Sequence, residues 1–241
     1  MDYIFNGILL KCQDYKDKDV LVTIFTAEVG KITAVLKGVR GAKAKLKFAA
    51  QPFCFGEWTM SEKGGRYTIT SVSAENLFFE LTADYDRYTL ACSMLQMCDF
   101  VLKPNMLASN LLVHLLNALK VLTYDDIDER LVMLKFMMQY SNCIGYGFSW
   151  DTCGNCGCNL IGKISYSIGG KSFTCPSCAS FGSVDVPKVW YTNLKIIDQT
   201  DIEKLDTIHV KEDIINNCMY VMKIHIENVV GLKLSALNSW S

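Results

Sequence analysis

Two periodicities divide this chain, and the change between them falls near residue 80. Before it, short runs rich in β-branched and aromatic residues alternate with turn residues: Gly7–Lys11, Val20–Thr26, Ile32–Leu36, Phe53–Met60 and Arg66–Val72. Such runs predict five strands. Ala27–Lys31 supplies a turn in which Gly30 is free to take positive φ, and Ser61–Gly65 is a hairpin signal. Five short strands over about 75 residues fit a small closed barrel, with the five-stranded OB-fold as the natural candidate. An SH3-like barrel would give nearly the same string.

Beyond residue 80 the apolar positions move to a spacing of three and four. Residues 83–103, 106–123 and 127–142 predict helices, with Leu90, Met94, Met97, Phe100 and Val101 and then Leu111, Leu115, Leu119 and Leu122 along their inner faces. Pro104 separates the first two, and Asp125-Asp126 falls where the third would begin. A last helix is predicted over 210–230, with Ile214, Ile215, Cys218, Met222, Ile226 and Val229 on one face. Residues 143–185 interrupt the helices with a segment rich in Gly, Ser and Cys and poor in Leu. About 40 residues do not close a core unaided and usually need a staple. The expected organisation is therefore α+β: a barrel domain over 1–80, a helical domain from 81–142 and 186–241, and an inserted lobe over 143–185.

The staple is written in the cysteines. Cys153-Gly154-Asn155-Cys156 and Cys175-Pro176-Ser177-Cys178 are two C-x2-C pairs separated by 18 residues. Each pair makes a tight knuckle that aims two thiolates at one point, and two knuckles form the tetrahedral sulfur cage that zinc prefers. Four thiolates complete the shell and leave no position for a catalytic water, so the expected metal is one structural zinc per chain. The alternatives are a redox pair or disulfides. Cys143 and Cys158 lie nearby as surplus thiols, while Cys12, Cys54, Cys92, Cys98 and Cys218 fall in apolar patterns and are expected in the core.

The 241 residues include 50% hydrophobic and 20% charged, enough to bury cores, so a wholly disordered chain is excluded. With 24 Lys plus Arg against 25 Asp plus Glu, the net charge of −1 selects neither DNA nor membrane globally. The charge is uneven, however. Lys31, Lys37, Arg40, Lys43, Lys45 and Lys47 are the charged residues of 31–50, with no acid among them, whereas 80–145 holds eight acids and five bases. A barrel with a basic groove is the usual way to track single-stranded nucleic acid. The other reading is a solvated loop without a partner. Phe25, Phe48, Phe53 and Phe55 are near enough in sequence to stack bases, but core positions are the expectation for most of them. His114, His209 and His225 are scattered, with His114 inside a helical stretch as an interior or boundary residue. No P-loop, G-x-G-x-x-G, G-x-S-x-G or H-E-x-x-H word occurs, so nothing argues for an enzyme. The N-terminus lacks a basic stretch followed by an apolar run, and no segment approaches the ~18 apolar residues of a membrane span, so a soluble protein of a reducing cytosol is expected.

In order of parts, a basic small barrel, a helical body and an inserted four-Cys finger, the chain resembles the bacterial DNA repair protein RecO family. Local words agree: Gly7–Lys11, Asp14-Tyr15, Asp19 with Leu21–Thr26, Glu28 with Gly30-Lys31, Lys37-Gly38 with Arg40, and Gln51-Pro52. The likeness spans nearly the whole chain, is strongest over 7–55 and at the finger, and is weak over 80–145. It departs at Gly231–Ala236, where an expected Arg is absent. The resemblance implies a recombination mediator without cofactor chemistry. Such a protein binds single- and double-stranded DNA and anneals complementary strands. With RecR it helps load RecA on DNA coated by single-stranded DNA-binding protein, whose acidic, Phe-ended tail it would hold. It also implies a bacterial, nucleoid-associated location. The competing readings are a nucleic-acid-modifying enzyme that uses the finger as a reader, and a protein–protein adaptor whose finger is structural and whose basic loop is incidental.

Overall fold

The computed structural model describes residues 2–41 and 44–240, the side chains of 238–240 excepted. Two units divide the chain: Met1–Ala83 with Leu95–Val113, and Asp84–Met94 with His114–Ser241.

The first unit is built on five strands: β1 (Asp2–Tyr15), β2 (Asp19–Thr26), β3 (Gly30–Leu36), β4 (Phe55–Lys63) and β5 (Arg66–Asn76). They close in the order β1-β2-β3-β5-β4. β1 is long enough to serve two neighbours. Asp2–Ile8 pairs with β4 and Gly7–Tyr15 with β2, and an irregularity between Leu9 and Lys11 marks the bend. The barrel closes where β3 meets β5 in parallel, through Ala34–Tyr67, Val35–Thr68 and Leu36–Ile69. This parallel closure makes the barrel an OB-fold and removes the SH3-like alternative. Alternate residues of the strands point inward. Leu9, Val22, Ile24, Ala34, Leu36, Trp58 and Met60 are all buried, and the Trp58 indole donates to the Gly7 carbonyl at 2.9 Å. Phe25 and Phe53 are buried too, as expected of core aromatics. Cys12 is not: it sits on the part of β1 that faces water, between exposed Lys11 and Gln13.

The same unit contains the C-terminal part of α1 (Tyr85–Val101), the connection to α2 (Ser109–Tyr124), and the start of α2. That connection straps the β2–β3 turn. Pro104 bridges to Lys31 in parallel, the Asn105 N–H donates to the Lys31 carbonyl at 3.3 Å, and the Ser109 hydroxyl donates to the Ala27 carbonyl at 3.4 Å. Phe100, placed by its spacing on the inner stripe, is exposed instead, and Cys92 is only half-buried. The stripe of α1 narrows to Leu90, Ala91, Met94, Leu95, Met97 and Cys98.

In the second unit α3 (Glu129–Cys143) is the central element, buried from Leu131 to Met138 without a break. Asp128 caps it, accepting the Arg130 N–H at 2.9 Å. α4 (Lys188–Gln199) and α5 (Glu212–Val230) pack on it and on each other. α4 lies where the apolar spacing predicts no particular helix. Its inner stripe is only Tyr191, Leu194 and Ile197, and Pro187 supplies the break before it. The inserted lobe carries a three-stranded sheet of order β7-β6-β8: β6 (Ile164–Ser167), β7 (Ser172–Thr174) and β8 (Val184–Val186).

Gly30 is the tightest position of the strap. Its φ is +73°, and a Cβ there would overlap the Met106 carbonyl. Gly30→Ala is therefore expected to destabilise the protein by about 2 kcal/mol or more, read as a lower urea midpoint at unchanged m-value.

Candidate nucleic-acid interface and metal centre

Where β3 and β5 stop pairing, the barrel wall opens into a cleft of about 390 Å³ lined by Tyr15, Leu21, Thr33, Ala34, Val35, Gly65, Arg66 and Tyr67. The residues come from the end of β1, from β2 and β3, and from the β4–β5 turn and the start of β5. In OB-folds this face and these loops receive oligonucleotides. Tyr67 is held by edge contacts to Tyr3 and Phe5, at ring separations of 5.8 and 6.1 Å. The Lys16 ammonium lies 5.2 Å from the centre of the Tyr15 ring.

Two loops meet beside this cleft. The Arg40 N–H donates to the Lys18 carbonyl at 3.2 Å, and the Gly38 N–H donates to the Asp19 carboxylate at 2.9 Å. The loop after β3, with Lys37 and Arg40, is thus fastened to the β1–β2 turn, with Lys16 and Lys18. All four cations are exposed, as is Arg66. Arg40 pairs with Asp14 at 3.2 Å, but both partners are so solvated that the pair is weak and exchangeable.

Of the six cations singled out by the sequence, Lys37 and Arg40 stand at this junction. Lys45 and Lys47 are exposed just before and at the start of a 3-10 turn (Lys47–Ala50). Lys43 lies outside the described residues. Lys31 is committed elsewhere: its side chain is 17% exposed, and its ammonium donates to the Asp99 carbonyl at 2.5 Å and to the Asp99 carboxylate at 3.2 Å. A carboxylate already neutralises it, so it offers no free charge to a polyanion. Tyr15, Lys16 and Lys18 on the one hand and Arg66 and Tyr67 on the other come from two distant segments, and Asp14, Asp17 and Asp19 dilute the charge of the first, so the sequence does not join them. The C-terminal end of β1 beside the Gly64-Gly65 turn was the available signal, once an OB order of strands is assumed.

The other site is in the second unit. The sulfur atoms of Cys153, Cys156, Cys175 and Cys178 all lie within 4.8 Å of one another, and none of the four is in a disulfide. Two backbone hairpins aim them. Cys153 donates its N–H to the Cys158 carbonyl at 2.8 Å while the Gly157 N–H donates to the Cys153 carbonyl at 2.9 Å; the Cys178 and Ala179 N–H groups both donate to the Cys175 carbonyl. Burial alone would raise the Cys153 thiol, but N–H groups of Cys156, Cys175 and Asn155 point at its sulfur and bring it down to about 6. The Cys175 thiol is likewise lowered against the effect of burial, by hydrogen bonds from its Cys158 and Cys178 neighbours. The Cys178 thiol, although a hydrogen bond with Asn155 lowers it, is instead raised to about 11 by the Cys156 thiol beside it, by burial, and by the Cys175 and Cys153 thiols, so geometry marks the four as a set. The Cys156–Cys175 separation of 3.8 Å is far beyond a disulfide and equals the edge of a sulfur tetrahedron with bonds of about 2.3 Å to a central ion. The four cysteines can hold a metal ion; the surplus Cys143 and Cys158 are exposed and outside the set.

With both sites described, the comparisons with known proteins bear on them. The family models described as "Recombination protein O N terminal" and "Recombination protein O C terminal" match residues 1–78 and 82–238. The chain belongs to the RecO family. Among its relatives are proteins named "DNA repair protein RecO". The one from Clostridium novyi (strain NT) is 28% identical over 96% of this chain and 90% of its own length. The one from Clostridium perfringens (strain 13 / Type A) is 26% identical over 96% and 94%. The one from Acetivibrio thermocellus is 26% identical over 90% and 87%. Membership of the RecO family thus rests on both the barrel and the part that carries the cysteines. Among the described residues no helix is long and apolar enough to cross a membrane.

The thiol cluster is not the lobe's sole support. Phe148, Trp150, Phe173 and Tyr191 form a continuous aromatic cluster with ring separations of 4.9 to 5.5 Å. The Phe173 carbonyl accepts the Gly154 N–H, which ties that cluster to the first knuckle. His225 of α5 lies fully buried against it. The Ser141 hydroxyl donates to the Met137 carbonyl at 2.7 Å and so accepts from His225 Nε2 at 3.1 Å. That leaves Nδ1 to accept from the Tyr166 hydroxyl at 2.9 Å, which fixes the neutral tautomer. Burial lowers the His225 imidazole to about 4, with Lys171 acting in the same sense and the Tyr146 carbonyl opposing. The unfolded chain would bind this proton near pH 6.5, so the native state is favoured in full above that pH. Stability is expected to fall as pH drops from 6.5 to 4, by up to about 3 kcal/mol from this group. Denaturant titrations across that range should show the loss, and His225→Gln should flatten it.

Proposed function

We propose that this chain is a non-enzymatic recombination mediator of DNA repair, and that the cleft on its barrel is the surface that grips single-stranded DNA. The supporting observation is a cleft lined by Arg66, Tyr15 and Tyr67, with Lys16, Lys18, Lys37 and Arg40 exposed on the two joined loops that adjoin Tyr15 and Val35 in the chain. Ammonium and guanidinium groups neutralise phosphates and release counterions, and phenol rings present faces to unstacked bases without choosing among them. Lys43, Lys45 and Lys47 extend this basic tract along the chain. Neutralising one strand lowers the repulsion felt by a second, which is what annealing requires, and duplex DNA is held through the same charges. Family membership extends the reading. Together with RecR, the chain would help load RecA onto DNA coated by single-stranded DNA-binding protein, in the bacterial cytoplasm at the nucleoid, holding that protein's acidic tail.

The metal in the lobe is structural zinc. Four thiolates, the 3.8 Å sulfur edge and two C-x2-C knuckles suit its tetrahedral preference. Cys153, Cys156, Cys175 and Cys178 would hold it, and bound zinc would supply folding free energy to a lobe of short strands.

Annealing of complementary oligonucleotides without nucleotide or added divalent ion is the deciding assay for the reading. Partner binding without any DNA affinity at moderate salt would replace it by an adaptor. Five engaged cations give a log–log salt slope of about −3.5 for single strands, at roughly 0.7 per charge. Lys37→Glu combined with Arg40→Glu should reduce the slope by about 1.4 and leave the melting temperature unchanged. An unaltered slope would remove this loop from the site. Cys175→Ser should bring zinc below one per chain and destabilise the lobe, read by metal analysis and by Trp150 fluorescence.

A further inference from the structure

The first knuckle carries one thiol more than a tetrahedral site uses. Residues 151–160 form a small hairpin. Thr152 bridges to Asn159 antiparallel, the Leu160 N–H donates to the Asp151 carbonyl at 3.0 Å, and the Cys153 N–H donates to the Cys158 carbonyl at 2.8 Å. At its tip the Gly157 N–H returns to the Cys153 carbonyl at 2.9 Å. Gly157 has a φ of +74°, a left-handed conformation that turns the chain between Cys156 and Cys158. Cys158 thus stands across the hairpin from Cys153, and its side chain reaches the cluster. Hydrogen bonds with the Cys156 and Cys175 thiols are the main cause that pushes the Cys158 thiol up to about 12. The exposed Cys143 differs, since burial alone raises it. A fifth sulfur therefore adjoins four that suffice for zinc.

Exposure sorts the five. Cys153 and Cys175 are buried, Cys178 is half-buried, and Cys156 and Cys158 are exposed. A small solute in water meets one ligand sulfur and the surplus thiol side by side, two residues apart. A metal-bound cysteine is a thiolate, the form that peroxides oxidise first. A sulfenic acid next to a thiol condenses with it to a disulfide. The other ligand sulfurs are held by the metal, whereas Cys158 is outside the set and free to react.

We propose that Cys156 and Cys158 form an oxidative modification site, at which a peroxide closes a disulfide and takes one ligand from the zinc. The proposal rests on the structural-zinc reading above. First the Cys156 thiolate attacks a peroxide oxygen. The S–O bond forms as the O–O bond breaks, the sulfur is oxidised to sulfenic acid, and the departing oxygen takes a proton from solvent. The Cys158 sulfur then attacks the sulfenic sulfur. The S–S bond forms, the S–O bond breaks, and the hydroxyl leaves with the Cys158 proton as water. Two electrons have passed to the peroxide. Three thiolates remain for the metal, and a thiol reductant restores the fourth by exchange.

The test uses the full-length, zinc-loaded protein and hydrogen peroxide. Released zinc is read with a chromophoric chelator, and cysteine pairing by peptide mass mapping. The expected product is a Cys156–Cys158 disulfide that appears together with released zinc, and dithiothreitol with added zinc should restore one ion per chain. Cys158→Ser, outside the ligand set, should bind one zinc before oxidation. After the same treatment it should lose most of the recoverable zinc, because Cys156 without its neighbour goes on to sulfinic acid, which dithiothreitol does not reduce. Oxidised protein in which Cys158 is still a thiol, or a Cys158→Ser protein that recovers its zinc as fully as the unaltered one, would overturn the modification site and leave the metal reading standing. An unaltered protein that binds no zinc would overturn the metal reading, and this site with it.

Discussion

Three residue pairs, Ala34–Tyr67, Val35–Thr68 and Leu36–Ile69, join β3 to β5 and close the barrel. Because the pairing is parallel and so short, the two strands separate soon after they meet, and the wall between them opens. The same register puts Tyr67 and Arg66 at the mouth of that opening, opposite Tyr15 at the far end of a strand long enough to reach it. The loop leaving β3 then runs back across the β1–β2 turn, where backbone hydrogen bonds hold Arg40 beside Lys18. A cleft with two tyrosine rings and Arg66 in its wall follows from one limited stretch of ladder. The interior of Trp58, Leu36 and Met60 fixes the register, since a slip by one residue would turn every inward side chain to water.

The lobe follows a different logic. Its strands have three or four residues each, too few to stand alone. It is secured at one side by the thiol cluster and at the other by aromatic rings shared with α4 and α5. Tyr166 and His225 complete that second anchorage, and further bonds run from Asn228 to the Ile168 carbonyl and from Tyr191 to the Trp150 carbonyl. Phe173 touches both systems, through its ring and through its carbonyl. Order at the knuckles is thereby coupled to order among the rings.

Much of this was legible from residue order. The strand runs, the hairpin at Gly64-Gly65, the helices around Leu115 and Met222, and the four cysteines all carry local signals, because period and knuckle spacing are properties of neighbouring residues. What escaped depends on distant pairing. Lys31 reads as one of six free cations, and only the fold brings Asp99 to it. Arg66 and Lys16 read as unrelated charges 50 positions apart, and only the strand order makes them neighbours of one cleft. Phe100 and Cys12 show the converse, apolar residues on a favourable period that the packing leaves in water. α4 is quiet because its buried stripe has only three members.

The strap formed by Pro104, Asn105 and Asp99 has a consequence for how the N-terminal module can be moved about. An excised fragment ending at residue 80 would retain all five strands. It would nevertheless strand the Lys31 ammonium without its counter-charge and uncover the edge at Gly30. Modular exchange of this barrel between proteins, whether by recombination of genes or by engineering, has to carry the residues around 95–113 along with it.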